Sequence, residues 1–276
     1  MQITVMSWNI QHGGKDGRWI GQARIINEVN PDFLLLQECS DWPERDARQV
    51  AQAEADTGLR IMVGRSRTKG YTAVGWRPEK ARWMGCDSNM YALTNGYTGV
   101  WFEIPHLPAP LMVVSAHLSC YSAVQANMEI QTILARTHKP QHLGLLGGDL
   151  NHVPLGDEEI DWSSVQPYNR SSRCLLPAPE GPPVWRGNPI VAQTLRAADM
   201  TDVAAHVADS RGDHSLRAPT AIHGRIRVDQ IHVTGALRPA ILDYWVIADQ
   251  DVSDHHPIVA RFDLAKIDES KLAKYR

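Results

Sequence analysis

The chain has 276 residues, of which 43% are hydrophobic, so it is long enough to bury a large core. Its formal net charge of -3 gives no overall attraction to polyanions, which disfavours a protein that coats DNA, and any nucleic-acid binding must come from a local basic patch. The four cysteines are scattered without a C-x-x-C pair, so they suggest neither a zinc knuckle nor a disulfide framework and favour reduced thiols.

The N-terminal residues 1–9 read as a first strand, and they lack the basic start and long apolar core of a signal peptide. No apolar run approaches the roughly 18 to 20 residues that a membrane-spanning helix requires. The sequence therefore predicts a cytoplasmic protein without a membrane span, and nothing in it indicates a protein partner.

Short strand-like runs alternate with a few helical patterns along the chain. Strands are predicted over residues 3–10, 33–37, 60–63, 73–77, 100–104, 111–116, 143–147, 226–233, 244–248 and 258–262. Helices are predicted over residues 20–29, 43–57, 123–137 and 192–207. The segment between about 150 and 189 is predicted to be loop-rich, because the prolines of its 176–183 run lack the amide donor that helices and strands need.

The order of these elements predicts one layered domain. No repeat of 20 to 50 residues is visible, and no linker separates two compositionally different halves. Short strands with interleaved helices are typical of an α/β (α+β) sandwich. We therefore expect a single catalytic domain over residues 1–264, followed by a polar C-terminal tail over 265–276.

Several polar residues lie at or near the ends of the predicted strands, where strand ends converge on one rim of a sheet. These residues are Asn9, Glu38, His117, Asp149, Asn151, Asp254 and His255. Mg²⁺ is bound in proteins by one or two carboxylates together with waters and substrate phosphate. Glu38 and Asp254, with Asn9 nearby, would satisfy that requirement.

Six short segments add a family resemblance to this pattern. They are 7–10 (SWNI), 36–38 (LQE), 115–118 (SAHL), 148–151 (GDLN), 228–231 (VDQI) and 253–257 (SDHHP). In this order they resemble the endonuclease/exonuclease/phosphatase superfamily, which includes DNase I-like and abasic-site nucleases, inositol polyphosphate phosphatases and sphingomyelinases. The resemblance covers almost the whole chain. It implies a four-layered α/β sandwich, in which two mainly antiparallel sheets are flanked by helices.

The resemblance also implies a metal site and a phosphate contact. Glu38 is similar to the principal metal ligand of the family, with Asn9 beside it and Asp254 as a further metal-linked carboxylate. The implied cofactor is Mg²⁺, with Mn²⁺ as a substitute. His117 is similar to the histidine that contacts the scissile phosphate. Some nuclease members pair that histidine with a further carboxylate, for which this sequence has no clear match.

The remaining catalytic roles concern the attacking water. Asp149 and Asn151 resemble the pair that positions and activates it. His255, oriented by Asp229, is the other candidate for moving the proton or for stabilising the transition state. A carboxylate on the second nitrogen of a histidine fixes its tautomer and raises its basicity. The resemblance leaves open whether Asp149 or His255 is the base.

Candidate substrate contacts lie mainly in the loop-rich segment between about 150 and 189, which we call the Pro-rich region. Trp185, Arg170 and Arg173 could stack on a base or contact a phosphate there, and the alternative is that they pack a long loop onto the core. His12 follows the first strand, and it resembles a site-facing histidine of some bacterial members. Its alternative is an ordinary loop histidine.

Together these features predict a Mg²⁺-dependent phosphodiesterase or nuclease that acts on nucleic acid or a nucleotide, with water as the nucleophile. One alternative on the same site is a phosphomonoesterase or a lipid or inositol-phosphate hydrolase. An alternative from another class is a noncatalytic binding module that keeps the fold. The complete set of candidate catalytic residues favours an enzyme.

Overall fold

The computed structural model describes residues 1–138, 143–222, 224–248 and 250–272. Its strands are β1 (Gln2–Asn9), β2 (Phe33–Gln37), β3 (Arg60–Gly64), β4 (Thr72–Trp76), β5 (Arg82–Asp87), β6 (Tyr97–Glu103), β7 (Leu111–His117), β8 (Leu143–Asp149), β9 (Cys174–Leu175), β10 (Arg186–Gly187), β11 (Met200–Asp202), β12 (Asp229–Thr234), β13 (Ile241–Val246) and β14 (Ile258–Asp263). Its α-helices are α1 (Arg18–Val29), α2 (Arg48–Thr57), α3 (Ala123–Thr137), α4 (Pro167–Arg173), α5 (Ile190–Ala197) and α6 (Val203–Arg211).

Twelve of the strands form two six-stranded sheets, with the orders β13-β14-β1-β2-β4-β3 and β11-β12-β8-β7-β6-β5. Each sheet is mainly antiparallel and contains one parallel pair, β1 with β2 and β7 with β8. Because the strands of a parallel pair end at the same edge of the sheet, the β7 and β8 register places His117 opposite Asp149.

Three apolar clusters account for the layering. The central cluster joins the inner faces of both sheets, and includes Phe33 and Leu35 from one sheet and Val113 and Leu145 from the other. A second cluster packs α1 and α2 onto the outer face of the first sheet, and a third packs α3 and α5 onto the second sheet. The predicted four-layered α/β sandwich is therefore confirmed.

Gly148 brings the ends of β7 and β8 close together. Its φ is 152°, and a Cβ atom at this position would collide with the carbonyl oxygen of Ala116. Only glycine lacks that atom, so the register that places His117 beside Asp149 depends on this residue.

Several predicted elements match the structure and others are corrected. The helix predicted over 123–137 is confirmed as α3, and the strand predicted over 33–37 as β2. The helix predicted over 43–57 begins only at Arg48, because the three preceding residues have left-handed φ angles that a right-handed helix cannot include. The strand predicted over 143–147 extends to Asp149, which is therefore a strand residue and not part of the following loop.

The helix predicted over 192–207 is wrong as one element. It is two helices, α5 and α6, because the residues between them form β11 on the edge of β12. Asp202 ends that strand, and its side chain accepts a hydrogen bond from the amide of Ala205, which caps α6. The edge strand β5 was not predicted, because most of its residues are exposed and show no alternation.

At the C-terminus, Ile267 and Leu272 pack against the central apolar cluster, and residues 273–276 of the predicted tail lie outside the described part. All four cysteines are described and none is paired. Within the described ranges, no helix has both the length and the apolar character needed to span a membrane.

Candidate active site

The facing sheets bring the ends of five strands to one rim. Asn9, His117 and Asp149 are the last residues of β1, β7 and β8, and Glu38 directly follows β2. Asp229 is the first residue of β12, which runs antiparallel to β8 and pairs with Asp149. Residues far apart in the sequence therefore form one buried polar cluster.

Asp149 lies at the centre of this cluster, and its side chain is only 4% exposed. Its Oδ2 atom is 3.3 Å from Asn9 Nδ2, 3.4 Å from His117 Nε2 and 3.8 Å from His255 Nε2. Its Oδ1 atom accepts a hydrogen bond of 3.0 Å from the backbone amide of Asn151. One carboxylate oxygen is thus anchored, while the other faces the histidines.

Glu38 is held as an ionised carboxylate. Its backbone has a left-handed φ of 59°, and Asn9 Nδ2 donates to its Oε1 at 3.1 Å while the His12 amide donates to its Oε2 at 3.0 Å. Burial opposes ionisation, but the charge of His117 and these hydrogen bonds outweigh it and lower the pKa of Glu38. The His12 imidazole is 72% exposed, with Nδ1 3.6 Å from Glu38 Oε2.

Asn9 orients carboxylates in this arrangement. Its Nδ2 atom donates to Glu38 and Asp149, and its Oδ1 atom accepts a hydrogen bond of 3.0 Å from the amide of Gln11. The amide oxygen that a metal would need is therefore turned towards the backbone.

His255 lies between two carboxylates. Its Nδ1 atom is 2.8 Å from Asp229 Oδ2, and its Nε2 atom faces Asp149. Burial opposes protonation of His255, but the charge and hydrogen bond of Asp229 outweigh it and raise the pKa of His255 to about 10. The neighbouring Asp254 acts in the same direction with a smaller contribution.

His117 is held differently, because its buried Nδ1 atom has no hydrogen-bond partner among the described residues. The acidic residues between β4 and β6 do not fill that place. Asp87 accepts hydrogen bonds from the Tyr97 hydroxyl at 3.2 Å and from Arg136 Nε at 3.1 Å, and Glu79 is exposed. The absence of a sequence match for the further carboxylate agrees with this geometry.

Arg173 has a role that the sequence did not indicate. Its Nε atom donates to the backbone oxygen of Asn151 at 2.9 Å, and its Nη2 atom donates to the Asn151 side-chain oxygen at 3.0 Å. The side-chain Nδ2 atom of Asn151 in turn donates to the carbonyl of Leu118 at 3.1 Å. Arg173 therefore fixes the residue whose backbone amide anchors Asp149. A lone arginine in a loop-rich segment carries no sequence signal for such a contact.

The Pro-rich region borders the site on one side. A cavity of about 450 Å³ is lined by Asn151, Arg173 and His255 together with residues of the loop before β12. Farther along the region, the Arg170 guanidinium lies 4.6 Å from the ring centroid of Trp185. The structure thus brings Arg173 to the site, and it places Arg170 and Trp185 in a stacked pair within the same region.

The cluster suits a hard divalent cation. Asp149, Asp229 and His255 form a cluster whose polar atoms all lie within 4.8 Å of one another. The two carboxylates are the candidate ligands in it, because the raised pKa of His255 keeps both of its nitrogens protonated. Asp229 Oδ1 is buried and has no hydrogen-bond partner among the described residues. Carboxylate oxygens are the ligands that Mg²⁺ prefers, and a Glu38 carboxylate joined to Asp149 through Asn9 adds another.

Solved structures share this fold across almost the full chain. The catalytic domain of human Nocturnin with a bound sulfate anion has a TM-score of 0.65 at 15% identity, over 95% of this chain and 94% of that one. D. rerio TDP2 complexed with a single-strand DNA product has a TM-score of 0.63 at 14% identity, over 95% and 99%.

A third similar structure is the endonuclease domain of TRAS1, a telomere-specific non-LTR retrotransposon. Its TM-score is 0.62 at 16% identity, and the match covers 96% of this chain and 100% of that one. At these identities the likeness shows a shared DNase I-like fold.

Among curated proteins, none matches the sequence. A family model described as the Endonuclease/Exonuclease/phosphatase family matches residues 6–255. The chain therefore belongs to the endonuclease/exonuclease/phosphatase family.

Proposed function

We propose that this protein is a Mg²⁺-dependent phosphodiesterase that cleaves a nucleic acid or nucleotide with water as the nucleophile. The observation that carries this proposal is the environment of Asp149, whose Oδ2 atom faces His117 Nε2 at 3.4 Å and His255 Nε2 at 3.8 Å. A carboxylate between two imidazoles supplies a proton acceptor beside donors for phosphate oxygens.

In the proposed reaction, Asp149 accepts the proton of the attacking water. The water oxygen bonds to phosphorus, the ester P–O bond breaks, and the leaving oxygen takes a proton from solvent. Asp149 is favoured over His255 as the base because the His255 imidazole lies between Asp149 and Asp229 and therefore retains both of its protons.

The two histidines then act on the phosphate. His117 Nε2 and His255 Nε2 both point towards Asp149, so a phosphate beside that carboxylate would receive hydrogen bonds from both. Asp229 positions His255 through the 2.8 Å contact with Nδ1. Asn151 acts mainly through its backbone amide, which holds Asp149 Oδ1.

Glu38 and Asp254 are the proposed metal carboxylates. Asn9 orients Glu38, and it would act as a ligand only if its amide turned over. When bound, Mg²⁺ or Mn²⁺ would neutralise charge on the nonbridging phosphate oxygens. The lowered pKa of Glu38 keeps it ionised and able to bind a cation at neutral pH.

Substrate contacts are proposed for Trp185, Arg170, Arg173 and His12. Arg173 lines the cavity beside His255, and the exposed imidazole of His12 lies next to Glu38. A nucleic-acid substrate is supported by the described single-strand DNA product of D. rerio TDP2 and by the endonuclease domain of TRAS1. A cytoplasmic location is part of this proposal.

The test is hydrolysis of bis-p-nitrophenyl phosphate against p-nitrophenyl phosphate, with Mg²⁺, with Mn²⁺ and with a chelator. We expect the diester to be cleaved faster, and we expect the chelator to abolish cleavage. Faster cleavage of the monoester would replace the diesterase proposal with a phosphomonoesterase. No cleavage of either ester would favour a noncatalytic binding module with the same fold.

A further inference from the structure

A second concave surface lies where the loops after β3 and before β6 meet α3. We call it the rim pocket and define it by six residues, Arg67, Thr68, Tyr91, Thr94, Gln125 and Met128, which line a cavity of about 600 Å³. That volume lies within the range of small-molecule and nucleotide sites.

The rim pocket is assembled from three segments that are tied to one another. Thr68 Oγ1 donates to the Thr94 carbonyl at 3.2 Å and to Asn95 Oδ1 at 3.1 Å, which joins the loop after β3 to the loop before β6. Gln125 Nε2 donates to Thr94 Oγ1 at 2.6 Å, which joins α3 to both loops. These contacts make it a built surface.

Its position relative to the catalytic residues follows from two further contacts. The carbonyl of Leu118 accepts a hydrogen bond from Asn95 Nδ2 at 3.3 Å and another from Asn151 Nδ2 at 3.1 Å. The amide of Cys39, next to Glu38, donates to the carbonyl of Tyr71 at 2.8 Å, at the end of the loop after β3. The loops that carry the rim pocket therefore reach the catalytic cluster on its Glu38 and His117 side.

The loop after β3 brings basic residues to this surface, and one of them, Arg67, lines the pocket. Arg65, Arg67 and Lys69 alternate along the loop after β3, and all three are exposed. None forms a salt bridge with a described residue. The buried Glu129 at the pocket is already engaged, since its carboxylate accepts hydrogen bonds from the Thr94 amide, the Thr94 hydroxyl and the Ser119 amide. Arg67 is therefore the basic group of the pocket that can contact a phosphate, whereas the charges of Arg65 and Lys69 also act on Tyr71 and Asp41.

Apolar and aromatic groups lie beside these charges. Tyr91 is 74% exposed, Met128 64% and Tyr121, just before α3, 73%. Exposed aromatic rings next to basic side chains form the usual platform for unpaired bases, because every base has a face that can stack. A duplex would keep its bases stacked on one another and leave these rings without partners.

We infer that the rim pocket binds a nucleotide of a single-stranded nucleic acid whose scissile phosphate lies at Asp149. Tyr91 stacks on the base, Arg67 contacts a flanking phosphate, and Thr68 and Gln125 offer polar groups to the base edge. This inference rests on the proposed phosphodiesterase function and names its substrate class.

The test measures binding of a fluorescein-labelled 12-nucleotide single-stranded DNA by fluorescence anisotropy. The protein is the full chain carrying Asp149→Asn, so that cleavage does not interfere with binding. We expect Tyr91→Ala and Arg67→Ala, made in that background, each to weaken binding about five- to a hundredfold, as loss of one base stack or phosphate contact does. Tyr91→Phe keeps the ring and should retain affinity. Arg67→Ala should also reduce the slope of log affinity against log salt by about 0.7.

Two matched controls lie at the opposite ends of the same sheets. Trp83→Ala removes an exposed aromatic ring from β5, and Arg60→Ala removes an exposed arginine from β3. Binding within about twofold of the parent is expected for both. A parallel assay measures bis-p-nitrophenyl phosphate hydrolysis by the wild-type protein, which reports the proposed function independently of the rim pocket.

The outcomes separate the two proposals. Unchanged affinity in Tyr91→Ala and Arg67→Ala would overturn the rim pocket as a binding site, and equal affinity for duplex DNA with equal sensitivity to the variants would overturn its single-strand preference. Hydrolysis of the small ester without oligonucleotide binding would overturn the substrate class alone. Sensitive oligonucleotide binding without hydrolysis of the ester would overturn the proposed function and leave the pocket standing.

Discussion

The catalytic centre and the surfaces beside it are built in different ways. The centre consists mainly of side chains at strand ends, and several of them are almost fully buried, such as Asp149 at 4% and Asp229 at 0% exposure. The bordering surfaces consist of loop and helix residues that are mostly exposed, such as Tyr91 on one side and Arg225 on the other. Buried strand ends hold chemical groups in fixed geometry, whereas exposed loops can change with little cost to the fold. The comparison supports the proposal that the centre carries the reaction and that its borders select the substrate.

Asp149→Asn should have the largest effect, because it keeps the shape of the side chain and removes the proposed proton acceptor. We expect kcat to fall at least about a hundredfold on every ester substrate, with the fold intact. Steady-state kinetics and circular dichroism measure the two effects. A variant that loses activity on one substrate class alone would contradict the separation between centre and borders.

Arg173→Ala should have an intermediate effect, because Arg173 belongs to the border but holds Asn151. We expect kcat to fall about tenfold, since misplacing a catalytic group lowers turnover, together with a smaller rise in KM from loss of the proposed substrate contact. Arg186→Ala, an exposed arginine of the same region, is the matched control and should stay near wild type. A rise in KM alone would show that Arg173 only contacts substrate.

Trp185→Ala should have a smaller effect and should depend on the substrate. We expect about a fivefold loss in kcat/KM on an oligonucleotide and a lesser loss on bis-p-nitrophenyl phosphate, because Trp185 and Arg170 form a stacked pair outside the centre. Trp245→Ala serves as the control. It removes the ring of a second arginine stack, in which the Arg261 guanidinium lies 5.4 Å from the Trp245 ring centroid. Equal losses on both substrates would contradict a role in substrate choice.

His232→Gln should change stability and leave the chemistry intact. Burial lowers the pKa of His232 to about 4, so the folded protein keeps it neutral while the unfolded chain protonates below about pH 6.5. The contribution of His232 to the free energy of unfolding is therefore complete above pH 6.5. It is lost as the pH falls towards 4, by up to about 1.4 kcal/mol per pH unit. Urea unfolding between pH 7 and 4 should show a shallower decline for the variant. An identical decline would contradict this assignment.

The sequence predicted the centre better than its borders, for a physical reason. A buried strand leaves a run of apolar residues, and the polar residue that ends it stands out, as His117 and Asp149 do. The contacts between these ends need no sequence signal of their own, because the packing of two sheets produces them. The family resemblance supplied their order and the layered fold.

The borders could not be predicted in the same way. The rim pocket draws on three segments between Arg67 and Met128 that share no periodic pattern, and their contacts are visible only after folding. Arg173 stays a predicted substrate contact, and its further contact with Asn151, 22 residues away, has no sequence signal. β11 divided the predicted helix over 192–207 because its pairing with β12 outweighs local helix propensity.

Gly148 limits which substitutions this chain can accept. Every other amino acid adds a Cβ atom at a point already occupied by the carbonyl oxygen of Ala116. A substitution there would push β7 and β8 apart and separate His117 from Asp149, so we expect activity to be lost. In a saturation library selected for activity, position 148 should therefore tolerate no replacement. Positions such as Tyr91 and Trp185 should vary, and new substrate preferences can arise there while the reaction itself is preserved.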